Sequence, residues 1–384
     1  MSEERMRRWR MVLGGEAAEP TGAALTGVDA KMDGALEALY GARGAGRGGR
    51  GAGLGASAPQ VARWLGDIRT LFPSTVVQLM QKDAVERLDL TRLLLEPEML
   101  EAVEPDVHLV GTLLSLNQVM PERARESARA VVRTVVRRLE ERLAQRTRSA
   151  VDGALDRSAR RRRPRRASEI DWNRTIRANL PHYVPSRRTV VPERIIGYGH
   201  RRRAVERDIV LCVDQSGSMA SSLVYAGVFG AVLASMPSLR TSLVVFDTSV
   251  VDLTDRLHDP VDLLFGSRLG GGTDINRALA YCERLITRPK ETVLILISDL
   301  YEGGARAEML RRAAAVTAAG TQVVALTALS DEGTPAFDHG NAAALAALGV
   351  PAFACTPDAF PDLMAAAIEG RDLTEWAERT APHR

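Results

Sequence analysis

The chain has 384 residues, 45% of them hydrophobic but only 4% aromatic, and a formal net charge of +3. At about 150 residues per domain this length holds two or three domains, and so small a net charge excludes an argument for nucleic acid from overall charge alone. Three separated cysteines, Cys212, Cys282 and Cys355, fit neither a zinc spacing nor a disulfide framework, and read as small buried hydrophobes in a reducing compartment.

Residues 1–40 predict two helices, Glu3 to about Leu13 and Val28–Tyr40, parted by a Gly/Pro/Thr break. Residues 41–59 form a Gly/Arg-rich linker. Its Arg43, Arg47 and Arg50 have no aromatic neighbours to stack on bases, so it reads as a solvated connector. From 60 to 154 the pattern is helical. Val61, Trp64, Leu65 and Ile68 mark one apolar face, and Val131, Val132, Val135, Val136, Leu139 and Leu143 mark a stripe on the last and longest helix. Residues 155–206 form an Arg-rich connecting segment, densest at Arg160, Arg161, Arg162, Arg163, Arg165 and Arg166. These six are candidates to meet an acidic protein or nucleic acid. Trp172, Ile176 and Leu180 share one helical face there and predict that the segment docks. No apolar run is read as reaching the roughly 20 residues of a membrane span, and Met11-Val12-Leu13 is too short for a signal-peptide core. The expected location is the cytoplasm.

Strands and helices alternate over residues 207–370, before a tail at 371–384. The fold class expected is an all-α helical domain followed by an α/β doubly wound, mostly parallel sheet. Asp208 to Val213 reads as a buried parallel strand, ending in the polar loop Asp214-Gln-Ser-Gly-Ser218. Asp214, Ser216 and Ser218 offer one carboxylate and two hydroxyls at alternate positions, with Gly217 expected to let the chain turn tightly. Gly270-Gly-Gly-Thr-Asp274 delivers Thr273 just before a helix, and Thr292–Ser298 is a second buried strand ending at Asp299. If the two strands are neighbours, Asp214, Ser216, Ser218, Thr273 and Asp299 converge on one point. These hard oxygen donors suit Mg²⁺ first, with Mn²⁺ and Ca²⁺ as alternatives. Asp247 and Asp274, on adjacent loops, either support the ligands from behind or are ordinary turn aspartates.

Asp-x-Ser-x-Ser, then Thr, then Asp, each at its strand or helix boundary, resembles the metal-ion-dependent adhesion site of von Willebrand factor A (VWA) domains. Asp214-Gln-Ser-Gly-Ser-Met219, Phe246-Asp-Thr-Ser249, Leu269-Gly-Gly-Gly-Thr-Asp274 and Ser298-Asp-Leu-Tyr-Glu-Gly-Gly304, behind a helical half, are similar to the bacterial CoxE-like group. The resemblance implies a metal whose shell is completed by a carboxylate of a protein partner, and work alongside a MoxR-type AAA+ ATPase. It implies direct coordination by Ser216 and Ser218, direct or water-mediated coordination by Asp214 and Asp299, and conformation-dependent coordination by Thr273.

Catalytic signatures are missing. There is no P-loop, and Ser216 lies outside a G-x-S-x-G elbow. The expected function is therefore a non-enzymatic, Mg²⁺-dependent protein-binding adaptor. The alternative is a nucleic-acid-associated factor that binds through the arginine tract while its VWA domain recruits proteins.

Overall fold

The computed structural model describes residues 5–7, 9–10, 25–40, 58–88, 94, 97–160, 170–196, 207–267, 269–331 and 336–380. They divide into two compact units, Met1–Val135 and Val136–Arg384. The Gly/Arg linker lies outside the described residues except for Ala58 and Pro59, and so do Arg161, Arg162, Arg163, Arg165 and Arg166.

The first unit holds helices α1 (Gly27–Tyr40), α2 (Ala58–Leu71), α3 (Ser74–Leu88), α4 (Pro97–Ala102) and α5 (Val107–Leu116), and the start of α6 (Glu122–Arg160). The predicted face of α2 is its buried face, Val61, Trp64, Leu65 and Ile68. Trp64 keeps its indole N–H satisfied on the Ala35 carbonyl at 3.0 Å, as a buried donor must be. Asp106 caps α5 by accepting from the Leu109 N–H at 2.7 Å. On α6 the predicted valine and leucine stripe is buried throughout, and the helix continues past residue 154 to Arg160.

In the second unit a short helix, α7 (Trp172–Ala178), precedes a two-stranded hairpin, β1 (Tyr183–Val184) and β2 (Thr189–Val190). The face predicted on this segment is not covered within the chain: Trp172, Ile176 and Leu180 are exposed while Thr175 and Asn179 are buried. Apolar spacing identified a face correctly but not its partner, because periodicity does not record which side of a helix is covered.

The remainder is a six-stranded sheet flanked by helices. In chain order these are β3 (Arg207–Asp214), α8 (Ala220–Ala234), β4 (Leu239–Phe246), β5 (Val250–Asp252), α9 (Pro260–Gly266), α10 (Ile275–Leu285), β6 (Thr292–Ile297), α11 (Arg306–Ala318), β7 (Gln322–Leu329), α12 (His339–Ala347), β8 (Ala352–Cys355), α13 (Phe360–Ile368) and α14 (Leu373–Thr380). The strand order is β5-β4-β3-β6-β7-β8, with β5 the only antiparallel member. Because β3 and β6 are buried on both faces they read as unbroken apolar runs. Val210 and Cys212 of β3 meet Ile275, Leu279 and Met309 of α10 and α11 on one face. On the other face α8 lies against Leu211, close enough for an added Cβ at Gly230 to come within 3.4 Å of its Cδ1.

The stretch Gly217–Ala234 is, by length and composition, long and apolar enough to cross a membrane, contrary to the expectation that no run reaches that length. Two-thirds of it is buried. The reason is that α8 fills the space between the sheet and its neighbours, so it is apolar nearly all round. Beyond residue 370, where a tail was expected, α14 forms and buries Leu373 and Trp376. The Trp376 ring lies 5.8 Å from that of Phe353 on β8.

At the amino end of β3, Asp208 is clamped from two sides. Arg240 approaches at 2.9 and 3.0 Å and Arg288 at 2.6 and 3.0 Å. Burial pushes the Asp208 carboxyl up, but the hydrogen bonds and charges of Arg288 and Arg240 outweigh it and leave it below its ordinary value of 3.8. A carboxyl held low in the fold stabilises at neutral pH and loses that contribution as pH falls through its folded value. Asp208→Asn is therefore expected to cost about 1–2 kcal/mol at pH 7, a figure discounted for the solvent around Arg240. Urea unfolding should show the gap to wild type closing as pH drops below the ordinary carboxylate range.

Candidate functional site

Strand β3 sits between β4 and β6, so the chain leaves it in one direction first and in the other later. The carboxyl ends of β3 and β6 therefore form the switch point of the sheet, where open α/β folds leave a crevice for ligands. Asp214 ends β3 and Asp299 follows β6.

Asp214 is fully buried. Its Oδ1 accepts from the Ser216 N–H at 2.8 Å and its Oδ2 from the Ser298 hydroxyl at 2.9 Å. Burial pushes its carboxyl above the ordinary value, and the nearby Asp299 charge adds to this. The bonds from Ser216 and Ser298 pull the other way. Ser216 Oγ lies 3.2 Å from Ser218 Oγ, and Ser218 Oγ donates to Asp299 Oδ2 at 2.7 Å. Four of the five predicted residues are thus joined by direct hydrogen bonds or by a single serine. Among the described residues no arginine or lysine pairs with Asp214 or Asp299. Two carboxylates taken out of water without a cationic partner are costly, so the donor set fits a small hard cation. Among the described residues no three His, Cys, Asp or Glu side chains gather for a metal. The hydroxyls are therefore indispensable to that reading.

Thr273 arrives by its backbone. Gly270 N–H donates to the Gln215 carbonyl at 3.1 Å, Asp274 N–H to Asp247 O at 2.9 Å, and Gly303 N–H to Thr273 O at 2.8 Å. These bonds tie the Thr273 loop to the loops after β3, β4 and β6, while the Thr273 hydroxyl bonds to none of the other four members. Tightness is concentrated here and not at Gly217, where an added Cβ would meet nothing within 4 Å and φ is not positive. Gly271 adopts φ +109° against the Asp247 side chain, and a Cβ on Gly303 would stand 2.9 Å from the Thr273 carbonyl oxygen. Gly303→Ala should therefore push the Thr273 loop off its seat. We expect a loss of about 1–3 kcal/mol in urea unfolding; an unchanged midpoint would mean that the loops are not in contact.

The two supporting aspartates have local duties. Asp247 Oδ1 accepts from the N–H and hydroxyl of Ser249 at 2.6 and 2.8 Å, closing the β4–β5 turn. Asp274 Oδ1 caps α10 through the Arg277 N–H at 2.8 Å. Arg160 is the last residue of α6, and the other five arginines of its run lie outside the described residues.

Several residues with no role in the sequence reading prove to organise the site. Ser298 bonds to Asp214 and also accepts the Leu300 N–H at 3.0 Å. Leu300 is held at φ +64°, a conformation that costs a branched side chain and persists only where its surroundings enforce it. Asn341 Nδ2 donates to its carbonyl at 2.9 Å, and Asp338 N–H donates to the Asp299 carbonyl at 2.9 Å. Glu302 accepts the Ile275 N–H at 2.6 Å, sharing the amino end of α10 with Asp274; burial and the Asp274 charge raise its carboxyl. The adjacency of Ser298 to Asp299 was the one available signal.

A doubly wound sheet carrying Asp-x-Ser-x-Ser, Thr and Asp around its switch point defines a VWA-type domain. The chain belongs to the family of VWA domain containing CoxE-like proteins, whose family model matches residues 143–364. It is 36% identical over 360 residues to YehP of Escherichia coli (strain K12), covering 93% of this chain and 95% of that one. Among solved structures it is similar to an aerotolerance-related membrane protein from Bacteroides fragilis NCTC 9343, with 15% identity, 43% of this chain and 99% of that one covered, and a TM-score of 0.36. BatB from Bacteroides thetaiotaomicron is similar too, with 16% identity, 45% and 99% covered, and a TM-score of 0.34.

Proposed function

We propose that this chain is a non-enzymatic adaptor that grips a protein partner through Mg²⁺ held by Asp214, Ser216, Ser218, Thr273 and Asp299. The observation that carries the reading is the Ser218–Asp299 bond at 2.7 Å across the ends of β3 and β6. Through the Ser218–Ser216 contact at 3.2 Å and the Ser216 N–H on Asp214, it completes a chain between two buried carboxylates that lack a basic partner among the described residues. Asp214 and Asp299 supply two negative charges, just enough to balance a divalent ion, and the three hydroxyls add only neutral, weakly donating oxygens, so the ion keeps Lewis acidity for one more ligand. Bound there, Mg²⁺ supplies a Lewis-acidic position for an anionic oxygen, such as an Asp or Glu carboxylate of the partner. Ser216 Oγ has a second hydroxyl beside it and not an imidazole, which supports binding over nucleophilic catalysis. Membership of the CoxE-like family supports a MoxR-type AAA+ ATPase as the machine that this adaptor serves.

The test is affinity capture on the full chain with a purified MoxR-type ATPase from the same cell, in Mg²⁺ and in EDTA. Retention in Mg²⁺ and release in EDTA is the expected result. Retention indifferent to the metal would remove the site from the function and return attention to the arginine tract.

A further inference from the structure

Residues 170–196 form a small lobe whose inside is polar and whose outside is apolar. Its buried side chains are Thr175 and Asn179. Asn179 Nδ2 donates to the carbonyls of Thr175 and Arg194 at 2.6 and 2.7 Å, and its Oδ1 accepts from the N–H groups of Glu193 and Arg194 at 3.0 and 3.1 Å. Thr175 Oγ1 donates to the Ile196 carbonyl at 3.2 Å and accepts the Ile196 N–H at 3.0 Å. Asp171 N–H closes the lobe on Ile196 O at 2.8 Å. These polar pins give the backbone one shape without an apolar core.

The apolar side chains are spent on the surface. Trp172, Ile176, Leu180, Tyr183, Val191 and Ile195 are each between 44% and 57% exposed. The first three fall at i, i+4 and i+8, one stripe along α7 and the turn after it. Beside them a groove of about 520 Å³ is lined by His182, Tyr183, Val184, Val191, Pro192 and Glu193. So many exposed apolar groups within 27 residues mark an interaction surface, not scattered surface hydrophobes.

Charge says what covers it. Arg174, Arg177, Arg187, Arg188 and Arg194 face only Asp171 and Glu193 within the lobe. Arg174 approaches Asp171 at 3.7 Å and His182 approaches Glu193 at 3.1 Å. Arg177, Arg187, Arg188 and Arg194 pair with no carboxylate among the described residues. Arg187 and Arg188 stand at the tip of the β1–β2 hairpin. An apolar centre with a basic rim is complementary to an apolar centre with an acidic rim. Aliphatic side chains outnumber aromatic ones here, and aliphatic groups give bases no stacking platform, which favours protein over nucleic acid.

We propose that residues 170–196 are a docking surface for an acidic amphipathic segment of a partner protein, its apolar stripe laid on Trp172, Ile176 and Leu180 and its carboxylates on the surrounding arginines. This surface is independent of the metal site. The test places the photo-crosslinker p-benzoylphenylalanine at Ile176 or at Leu180 of the full chain, in cells, followed by sequencing of the joined peptides. The expected peptide comes from another protein, carries net negative charge, and has apolar residues at helical spacing. Its yield should fall about tenfold in an Arg177→Glu, Arg187→Glu, Arg188→Glu variant and persist in Asp214→Asn. The variant's melting curve should match wild type, so that lost yield is not lost fold. Adducts with nucleic acid, with a second copy or with residues 1–135 of the same chain would overturn the proposal. So would a yield indifferent to charge reversal, or no adduct from either position.

Discussion

On the proposed function, Mg²⁺ is expected to stabilise the wild-type chain, and Asp214→Asn to abolish that gain while leaving the chain folded. The carboxylate is fully buried beside Asp299, so in EDTA its charge is a burden on the fold. Asparagine keeps the shape and an oxygen for the Ser216 N–H, now 2.8 Å away, and removes the charge. The amide still risks one poor contact with the Ser298 hydroxyl, worth about 1 kcal/mol. In EDTA the variant should therefore melt close to wild type or above it. At Mg²⁺ one hundredfold over its dissociation constant the wild type should gain about 2.7 kcal/mol and the variant nothing. Differential scanning calorimetry in both conditions decides it. Equal gains in the two proteins would show that the ion binds elsewhere.

The largest loss of stability is expected at Phe229. This side chain is fully buried on α8, and its ring centroid lies 4.3 Å from that of Phe360 on α13 at 35°. Phe229→Ala removes the ring from between two helices that the sheet holds in place, so the space cannot fully collapse. The cost should be about 3–5 kcal/mol. For a unit of this size that corresponds to a melting temperature lower by roughly 6–20 °C. A loss below about 1 kcal/mol would mean that α8 and α13 repack freely, and the rigid start of α8 beside Ser218 could not then be assumed.

Much of this was legible from the chain alone because burial on both faces writes itself as uninterrupted apolar residues. Ile209–Val213 and Val293–Ile297 announce β3 and β6 in that way, and the polar residues that follow them lie at the carboxyl edge by construction. What stayed hidden depends on side chains reaching across sequence. Ser298 touches Asp214 84 positions away, and Asn341 holds Leu300 from 41 positions away. No local pattern marks a leucine at φ +64°, since the conformation is imposed by its partners. Gly217 misled for the opposite reason: a glycine between two serines resembles a forced turn, yet the close approaches fall at Gly271 and Gly303. Short helices such as α9 and α12 give too few turns for a period to show.

The order of the strands also bears on how the sheet resists edge-to-edge pairing between molecules. In the six-stranded sheet the two edge strands are the shortest: β5 has three residues and β8 four, while β3, β4 and β7 each have eight. Short edges offer few free backbone groups to a neighbouring molecule, and the long apolar strands are kept inside where they template nothing. Truncation before Ala352 would reverse this, because β7 with its buried Val323–Leu329 run would become the edge. The exposed segment would combine β-branched residues, no charge and no proline, the composition that seeds ordered aggregates. The last strand and the helices after it thus act as a cover on the sheet, and their loss would first be seen as insolubility.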